Sequence, residues 1–249
     1  MRRPLSIMRA HPREGWIELL YKVTGPGLRA LAARKAGEEL SVLGPIGRPF
    51  TAHPARPRTL LIGGGVGIPP VIFLAERLRA EEQAPDAGRT RDAESKSIWK
   101  PLVLMGSEVP FPFRTRPSRL IVPGIPAGSI ACMPSLEQRD VPTRLASCAD
   151  FPGCFEGFVT ELADAWLGSL GEAELAQVEM FACGPTAMLR SCAALARRYR
   201  LPCQVSLEEF MACAVGGCAG CTVAVQQADG PAMKRVCVDG PVFDAYTVF

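Results

Sequence analysis

The sequence predicts an α/β fold joined to an antiparallel β part at one end and a small cysteine-rich segment at the other. Three observations carry that prediction. From Thr59 onward, apolar runs of strand length alternate with stretches of helix length, the pattern of a parallel sheet covered on both faces. The run Gly63-Gly64-Gly65-Val66-Gly67 closes the first of those strands and opens a helix. Four cysteines then crowd the end of the chain at a spacing that disulfides do not explain. The resulting parts are residues 1–55, 56–205 and 206–249.

At 249 residues, 48% of them apolar, the chain is long enough for more than one packed core. Trp16 to Val23 is extended and closes at Gly25-Pro26-Gly27, so residues 1–50 read as short strands with turns, part of a β-barrel. Leu28 to Lys35 is a short helix. Glu39 to Leu43 is a strand ended by Gly44-Pro45-Ile46-Gly47, and a Pro/Arg-rich linker, His53 to Arg58, follows. Thr59 to Ile62 begins the parallel sheet and Pro69 to Glu82 is its helix. Ala84 to Lys100 is polar and aperiodic, hence a surface loop. Pro101 to Met105 is the second strand. The proline-rich stretch from Gly106 to Pro142 reads as an insertion, with a helix candidate at Ser135 to Arg139. The alternation resumes with strands at Thr143 to Ser147, Val178 to Ala182 and Gln204 to Leu207, and helices at Val159 to Leu170 and Thr186 to Tyr199.

Composition excludes several classes of function. The net charge of +3 comes from 28 basic and 25 acidic residues dispersed along the chain, without the clustered basic face that nucleic acid requires. No apolar run approaches the roughly 20 residues of a membrane span. The basic start, Met1-Arg2-Arg3-Pro4, has no apolar stretch after it to make a secretory signal, so the expected location is cytoplasmic. The two histidines, His11 and His53, are expected at the surface, away from other candidate ligands or bases.

Cys213, Cys218 and Cys221 give the spacing C-x4-C-x2-C, and fifteen residues intervene before Cys237. This is the ligand pattern of plant-type [2Fe-2S] clusters, in which thiolates hold the irons while the loop's amides face the sulfides. Gly216, Gly217 and Gly220 suit such a loop, since glycine permits positive φ and close backbone approach. A four-cysteine zinc site is the alternative, although zinc sites usually show two C-x2-C pairs. Cys132, Cys148, Cys154, Cys192 and Cys203 have no ligand-like grouping and read as ordinary core or surface residues.

Gly63, Gly64, Gly65 and Gly67 stand where a pyrophosphate can meet exposed amides and the positive end of a helix. Pro70 occupies the third position of the G-x-G-x-x-G fingerprint, so a plain strand-to-helix turn remains an alternative. Cys183-Gly184-Pro185 ends a second strand of the same sheet, which puts both loops at the carboxyl edge where open α/β folds bind ligands. Cys183 is thereby placed beside a bound nicotinamide.

Together, G-G-G-x-G-x-x-P, the later C-G-P-x-x-M from Cys183 to Met188, and R-P-x-S at Arg3, Pro4, Leu5 and Ser6 resemble the motifs of the ferredoxin-NADP reductase superfamily. The cluster cysteines, framed by Ser206-Leu207-Glu208-Glu209 and by Arg235 to Phe243, narrow the resemblance to the electron-transfer subunits of class 1B dihydroorotate dehydrogenases. That resemblance implies a [2Fe-2S] cluster, FAD and NAD as cofactors. It implies an FMN-containing dihydroorotate dehydrogenase catalytic subunit as partner in a heterotetramer, acting in pyrimidine biosynthesis. It also implies FAD contacts at Arg3, Pro4, Leu5, Ser6, Leu20, Tyr21, Lys22, Gly27 and Leu28, with Arg3 on the diphosphate and Ser6 near flavin N5. Members of the family begin several tens of residues earlier, so the chain is expected to carry a partial FAD-binding barrel. A reductase subunit of a ferredoxin or sulfide system and a non-catalytic zinc-binding scaffold are the competing readings.

Overall fold

The computed structural model describes residues 3–83 and 98–249, so most of the surface loop expected from Ala84 to Lys100 lies outside the described residues. The chain opens with an antiparallel hairpin of β1 (Ile7–His11) and β2 (Trp16–Leu19), in which Ile7 pairs with Leu19 and His11 with Trp16. Helix α1 spans Gly25–Ala32. It begins three residues before the expected Leu28 because Pro26 fits a first helical turn, where its missing N–H is no loss. The strand expected from Glu39 to Leu43 does not form. Leu40, Val42 and Leu43 are exposed, and their alternation has no neighbouring strand among the described residues to pair with.

The centre of the molecule is a seven-stranded sheet. Strand β3 (Arg58–Gly64) runs through a 3-10 turn at Gly65–Gly67 into α2 (Ile68–Gln83) and then to β4 (Leu102–Gly106). The proline-rich insertion folds as a small ladder of β5 (Arg116–Pro117) and β6 (Ala131–Cys132), followed by α3 (Pro134–Glu137). Next come β7 (Thr143–Ser147), β8 (Phe155–Glu156), α4 (Val159–Gly168), α5 (Glu172–Leu175), β9 (Val178–Cys183), α6 (Thr186–Tyr199) and β10 (Cys203–Ser206). The tail adds a hairpin of β11 (Thr222–Gln227) and β12 (Gly230–Arg235), then β13 (Val242–Asp244) and α7 (Ala245–Val248). The sheet order is β13-β10-β9-β3-β4-β7-β8, parallel throughout except for β13.

Alternating residues of β3 point to opposite cores. Leu60 and Ile62 pack with α4 and α6 on one face, while Leu61 packs with α2 and α3 on the other. The helix following β3 and the helix following β9 therefore leave on opposite sides, although the two strands are neighbours. This makes their carboxyl ends the switch point of the sheet. The N-terminal hairpin lies against the outer side of α2: Met8 joins that core, and Arg9 Nε donates to Glu76 at 2.8 Å.

The linker from His53 to Arg58 is fastened to β9 by a buried carboxylate. Glu179, with a side chain only 2% exposed, accepts hydrogen bonds from His53 N at 3.1 Å, His53 Nδ1 at 2.9 Å and Gln204 Nε2 at 3.0 Å. Gln204 also reaches Thr51, donating to its carbonyl at 2.6 Å and accepting from its amide at 3.0 Å. His53 is thus exposed, as expected, but it is paired with an acid that sequence separation had hidden. His11 stacks on Trp16 at 5.4 Å. Removing Glu179 takes away the buried acceptor that His53 and Gln204 share, so Glu179→Ala should lower unfolding free energy by about 2 kcal/mol in urea denaturation. The half-exposed Glu174 should tolerate the same change within about 0.5 kcal/mol.

Candidate functional site

At the carboxyl edge, the loops after β3 and β9 press backbone against backbone. A Cβ on Gly67 would stand 2.0 Å from the Cys183 carbonyl oxygen, so no side chain fits there. Gly64 faces Met188 Sδ, with 2.5 Å left for a Cβ, which explains the methionine of the C-G-P-x-x-M motif. Gly63 lies against Val71, with 2.7 Å left. Gly65 is different: its φ is +54° and nothing lies within 4 Å of where its Cβ would be. Gly64 and Gly67 thus close the two loops on each other, and Gly63 closes its own turn on α2. Gly65 supplies the turn whose free surface faces outward.

Cys183 ends β9 with only 9% of its surface exposed. Burial pushes its thiol up to about 12, with a hydrogen bond to Ser206 opposing and the nearby Glu208 carboxylate adding to the rise. The thiol is therefore a neutral, protonated group at neutral pH. Ser206 is its register partner across β10, and Gly184-Pro185 carries the chain on into α6. Sequence reasoning did not identify Ser206 and Glu208 as neighbours of Cys183. The parallel register of β9 and β10 is the signal that could have found Ser206.

The N-terminal residues form a second cluster. Leu5 and Ser6 precede the Ile7–Leu19 pair and Leu20, Tyr21 and Lys22 follow it, so the open end of the hairpin brings the two stretches together. Arg3 reaches across to α1, where a Cβ on Gly27 would stand 3.0 Å from Arg3 Nε. Leu28 follows in the first turn of that helix, half-buried. Arg3, Pro4 and Ser6 are exposed. A guanidinium beside the amides of a helix N-terminus is an arrangement that favours an anion.

The cysteine loop is organised around its sulfurs. Cys213 Sγ accepts from the amides of Val215 at 3.5 Å and Cys218 at 3.4 Å. Cys218 Sγ accepts from Gly220 N at 3.4 Å, and Cys221 Sγ from Cys237 N at 3.4 Å. These amide-to-sulfur bonds join the cysteines in pairs, Cys213 with Cys218 and Cys221 with Cys237. Among the described residues, no three histidine, cysteine or carboxylate side chains converge as a single ion would need. The backbone amides, Val215 first, lower the Cys213 thiol to about 6, whereas burial raises Cys237. Of the three glycines expected to bend the loop, only Gly216 has positive φ, at +79°. Ala214 and Ala219 take the other left-handed positions, at +62° and +53°. Arg235, two residues before the last cysteine, donates to the Gly216 carbonyl at 3.0 Å and is held by Asp239. The remaining cysteines are free thiols; Cys132, Cys192 and Cys203 are buried in the main body, as ordinary core residues should be.

Residues 208–249 match the iron-sulfur cluster binding domain of dihydroorotate dehydrogenase B. Over the whole chain, similar proteins are the electron transfer subunits of dihydroorotate dehydrogenase B (NAD(+)). That of Geobacillus kaustophilus is 32% identical over 98% of this chain and 79% of its own length. That of Caldanaerobacter subterraneus is 29% identical over 100% of this chain and 81% of its own. Among solved structures, an NADH-dependent reduced ferredoxin-NADP oxidoreductase superposes with a TM-score of 0.67 at 24% identity, covering all of this chain and 74% of that one. This likeness places the chain in the ferredoxin-reductase type of fold.

The thiol environments differ enough to be measured. In the metal-free chain, alkylation of Cys213 by iodoacetamide should be half-maximal near pH 6, because its thiolate is lost only as pH falls through that value. Cys183 and Cys192, both pushed up to about 12 by burial, should stay unmodified at neutral pH. Peptide mapping by mass spectrometry across a pH series checks this, and alkylation of Cys183 alongside Cys213 at pH 7 would contradict it.

Proposed function

This chain belongs to the electron-transfer subunits of dihydroorotate dehydrogenase B, and from that premise we propose how its own residues carry the electrons. It is the NAD-linked oxidoreductase component of an enzyme of pyrimidine biosynthesis, and it works with a catalytic partner subunit. When bound, the cofactors supply the chemistry: the [2Fe-2S] cluster moves single electrons, and FAD exchanges them for the hydride that NAD carries. The partner would supply the FMN at which dihydroorotate is oxidised, and two copies of each subunit would make a heterotetramer.

Cys213, Cys218, Cys221 and Cys237 would hold the cluster, and the observation that carries this assignment is their arrangement two by two. Two irons need two thiolates each, whereas a tetrahedral zinc ion needs four thiolates around one point. The donor set is soft, and the amides directed at the sulfurs would stabilise their negative charge. This favours an iron-sulfur function over the zinc scaffold.

Arg3 would pair with the FAD diphosphate, with Gly27 leaving room for its guanidinium and the first turn of α1 adding amide donors. Leu5, Leu20 and Tyr21 would line the flavin, and Pro4, Lys22 and Leu28 its edge. The hydroxyl of Ser6 would hydrogen-bond near N5. Residues 1–55 would then be a partial FAD-binding barrel, 56–205 the NAD-binding unit and 206–249 the cluster segment. At the carboxyl edge, Gly65 would leave amides free for the NAD pyrophosphate. Gly63, Gly64, Gly67, Gly184 and Pro185 would shape the crevice. Cys183 would present a protonated thiol to the nicotinamide, a group that packs against the ring without competing for a proton.

Two measurements test the assignment. Cys237→Ser should remove most of the iron and acid-labile sulfide from anaerobically purified protein, while Cys148→Ser, at an exposed and ungrouped thiol, should leave two of each per chain. Equal metal loss in both, or zinc in the unaltered chain, overturns it. Arg3→Ala should weaken FAD binding on the order of tenfold or more, the value of a charge-assisted contact, as read by flavin fluorescence on titration. Folding should be unaffected, because Arg3 is exposed.

A further inference from the structure

We infer that the contact of Gly47-Arg48 with Gly240-Pro241 is the clamp that sets how far the cluster-holding cysteines stand from the flavin-side segment, and thereby how fast electrons cross between them. The inference rests on the assignment of those two parts made above. Gly47 has a φ of +78°, and a Cβ on it would stand 2.5 Å from Pro241 Cδ and 2.6 Å from the Gly240 carbonyl oxygen. The next amide, Arg48 N, donates to that same carbonyl at 2.5 Å, and Arg48 forms a parallel bridge with Pro241. On its other side Gly240 lies under the Phe243 ring, which would stand 2.3 Å from an added Cβ.

These contacts join a continuous path of backbone and short polar links. Pro241 is fixed to the main sheet, since its carbonyl accepts from Leu207 N at 2.9 Å and the following strand, β13, pairs with β10. Upstream, the amides of Asp239 and Gly240 bond to the Arg235 carbonyl, and the turn they close contains Cys237. Arg235 in turn holds the Gly216 carbonyl in the loop between Cys213 and Cys218. Movement at Gly47 therefore reaches both halves of the cysteine set through a few short contacts. An open cleft of about 410 Å³, lined by Arg48, Thr51, Gln204 and Asp244 among others, runs beside the contact. Side-chain packing does not fill this cleft; its two sides are joined by the Thr51–Gln204 hydrogen bonds and by the glycine-to-carbonyl contact. Electron transfer falls steeply with separation, and small misplacements far from the reacting atoms are known to cost large factors in rate.

The test uses the full chain loaded with iron, sulfide and FAD, and compares Gly47→Ala, Arg48→Pro and Gly37→Ala. Gly37 also has positive φ, +90°, but nothing lies within 4 Å of its Cβ position, so its variant carries the backbone strain without the collision. Under rapid mixing, NADH gives a hydride to FAD, releasing NAD, and one electron then passes on to the oxidised cluster. In Gly47→Ala and Arg48→Pro, cofactor content and flavin bleaching should match the unaltered chain, while the EPR signal of the reduced cluster should appear on the order of tenfold more slowly. Hydrogen exchange at Leu207 should accelerate in the same two variants even without cofactors, as should exchange at Arg48 in Gly47→Ala, and Gly37→Ala should show neither effect. Unaltered EPR kinetics in Arg48→Pro, or equal slowing in Gly37→Ala, overturns the clamp; if Gly47→Ala does not fold, Arg48→Pro decides. An unaltered chain that takes up no iron and sulfide instead overturns the cofactor assignment itself. That failure is visible in the metal count before any kinetics.

Discussion

Backbone packed directly on backbone, with no space for a Cβ, organises this molecule at its carboxyl edge. The chain leaves β3 and β9 side by side, and helices α2 and α6 depart to opposite faces of the sheet. Two such turns can approach only if one of them has no side chain, and Gly67 against the Cys183 carbonyl is where they meet. Gly64 on Met188 extends the contact by one layer. Because these positions are consumed by packing, the surface left for a ligand is narrow: the outward turn at Gly65, the start of α6, and the thiol of Cys183. A rigid crevice of that kind would orient a nucleotide by shape, with few polar side chains required.

The peripheral segments are tied to this sheet by buried polar groups, and each tie is local. Glu179 draws in His53 and, through Gln204, Thr51. The proline-rich insertion is anchored in the same way. Arg144, only 5% exposed on β7, donates to Ser118 Oγ at 2.8 Å and to the Leu120 carbonyl at 2.6 Å, while Ser118 also bonds to Glu137. Burial alone would push the Glu137 carboxyl up, but hydrogen bonds from Ser118 and Arg119 bring it below its ordinary value, so it stays ionised opposite Arg144. The insertion thus has a charged core of its own. Removing one partner from such a group costs more than the pair contributes.

How much of this was legible in the sequence depended on whether a signal was local. The strands at Thr143–Ser147 and Val178–Cys183 and the helix at Thr186–Tyr199 announce themselves by periodicity, and they lie where that pattern puts them. The cysteine spacing is local too, because one loop supplies three of the four sulfurs. Glu39 to Leu43 misled, since alternation describes a strand only if another strand exists to pair with it. The return of Val242–Asp244 to the edge of the main sheet was invisible, because it depends on β10, almost forty positions earlier. The same is true of Ser206 beside Cys183. Gly217 and Gly220 looked like the obvious hinges, yet Ala214 and Ala219 carry the left-handed conformations; hydrogen bonding to sulfur overrides the usual residue preference there.

The return of β13 to the sheet also bears on why the cluster segment is not a free appendage. A loop hung from β10 alone would pivot on Leu207, and its sulfurs would sample a range of distances from the rest of the chain. Pairing β13 with β10 pins the loop at its far end as well, so the segment from Glu208 to Pro241 is held at both of its ends on adjacent positions of one edge. Ala245 then inserts into the same core as α6, and Arg197 holds the last residue. A segment fixed at both ends has few ways to move except by rotating about that edge. The backbone contact with Gly47, outside the sheet and off the axis, opposes that rotation, as does the packing of α7 against β11. Attachments that do not lie on one line define a plane, so the orientation of the cysteine loop is determined by the fold.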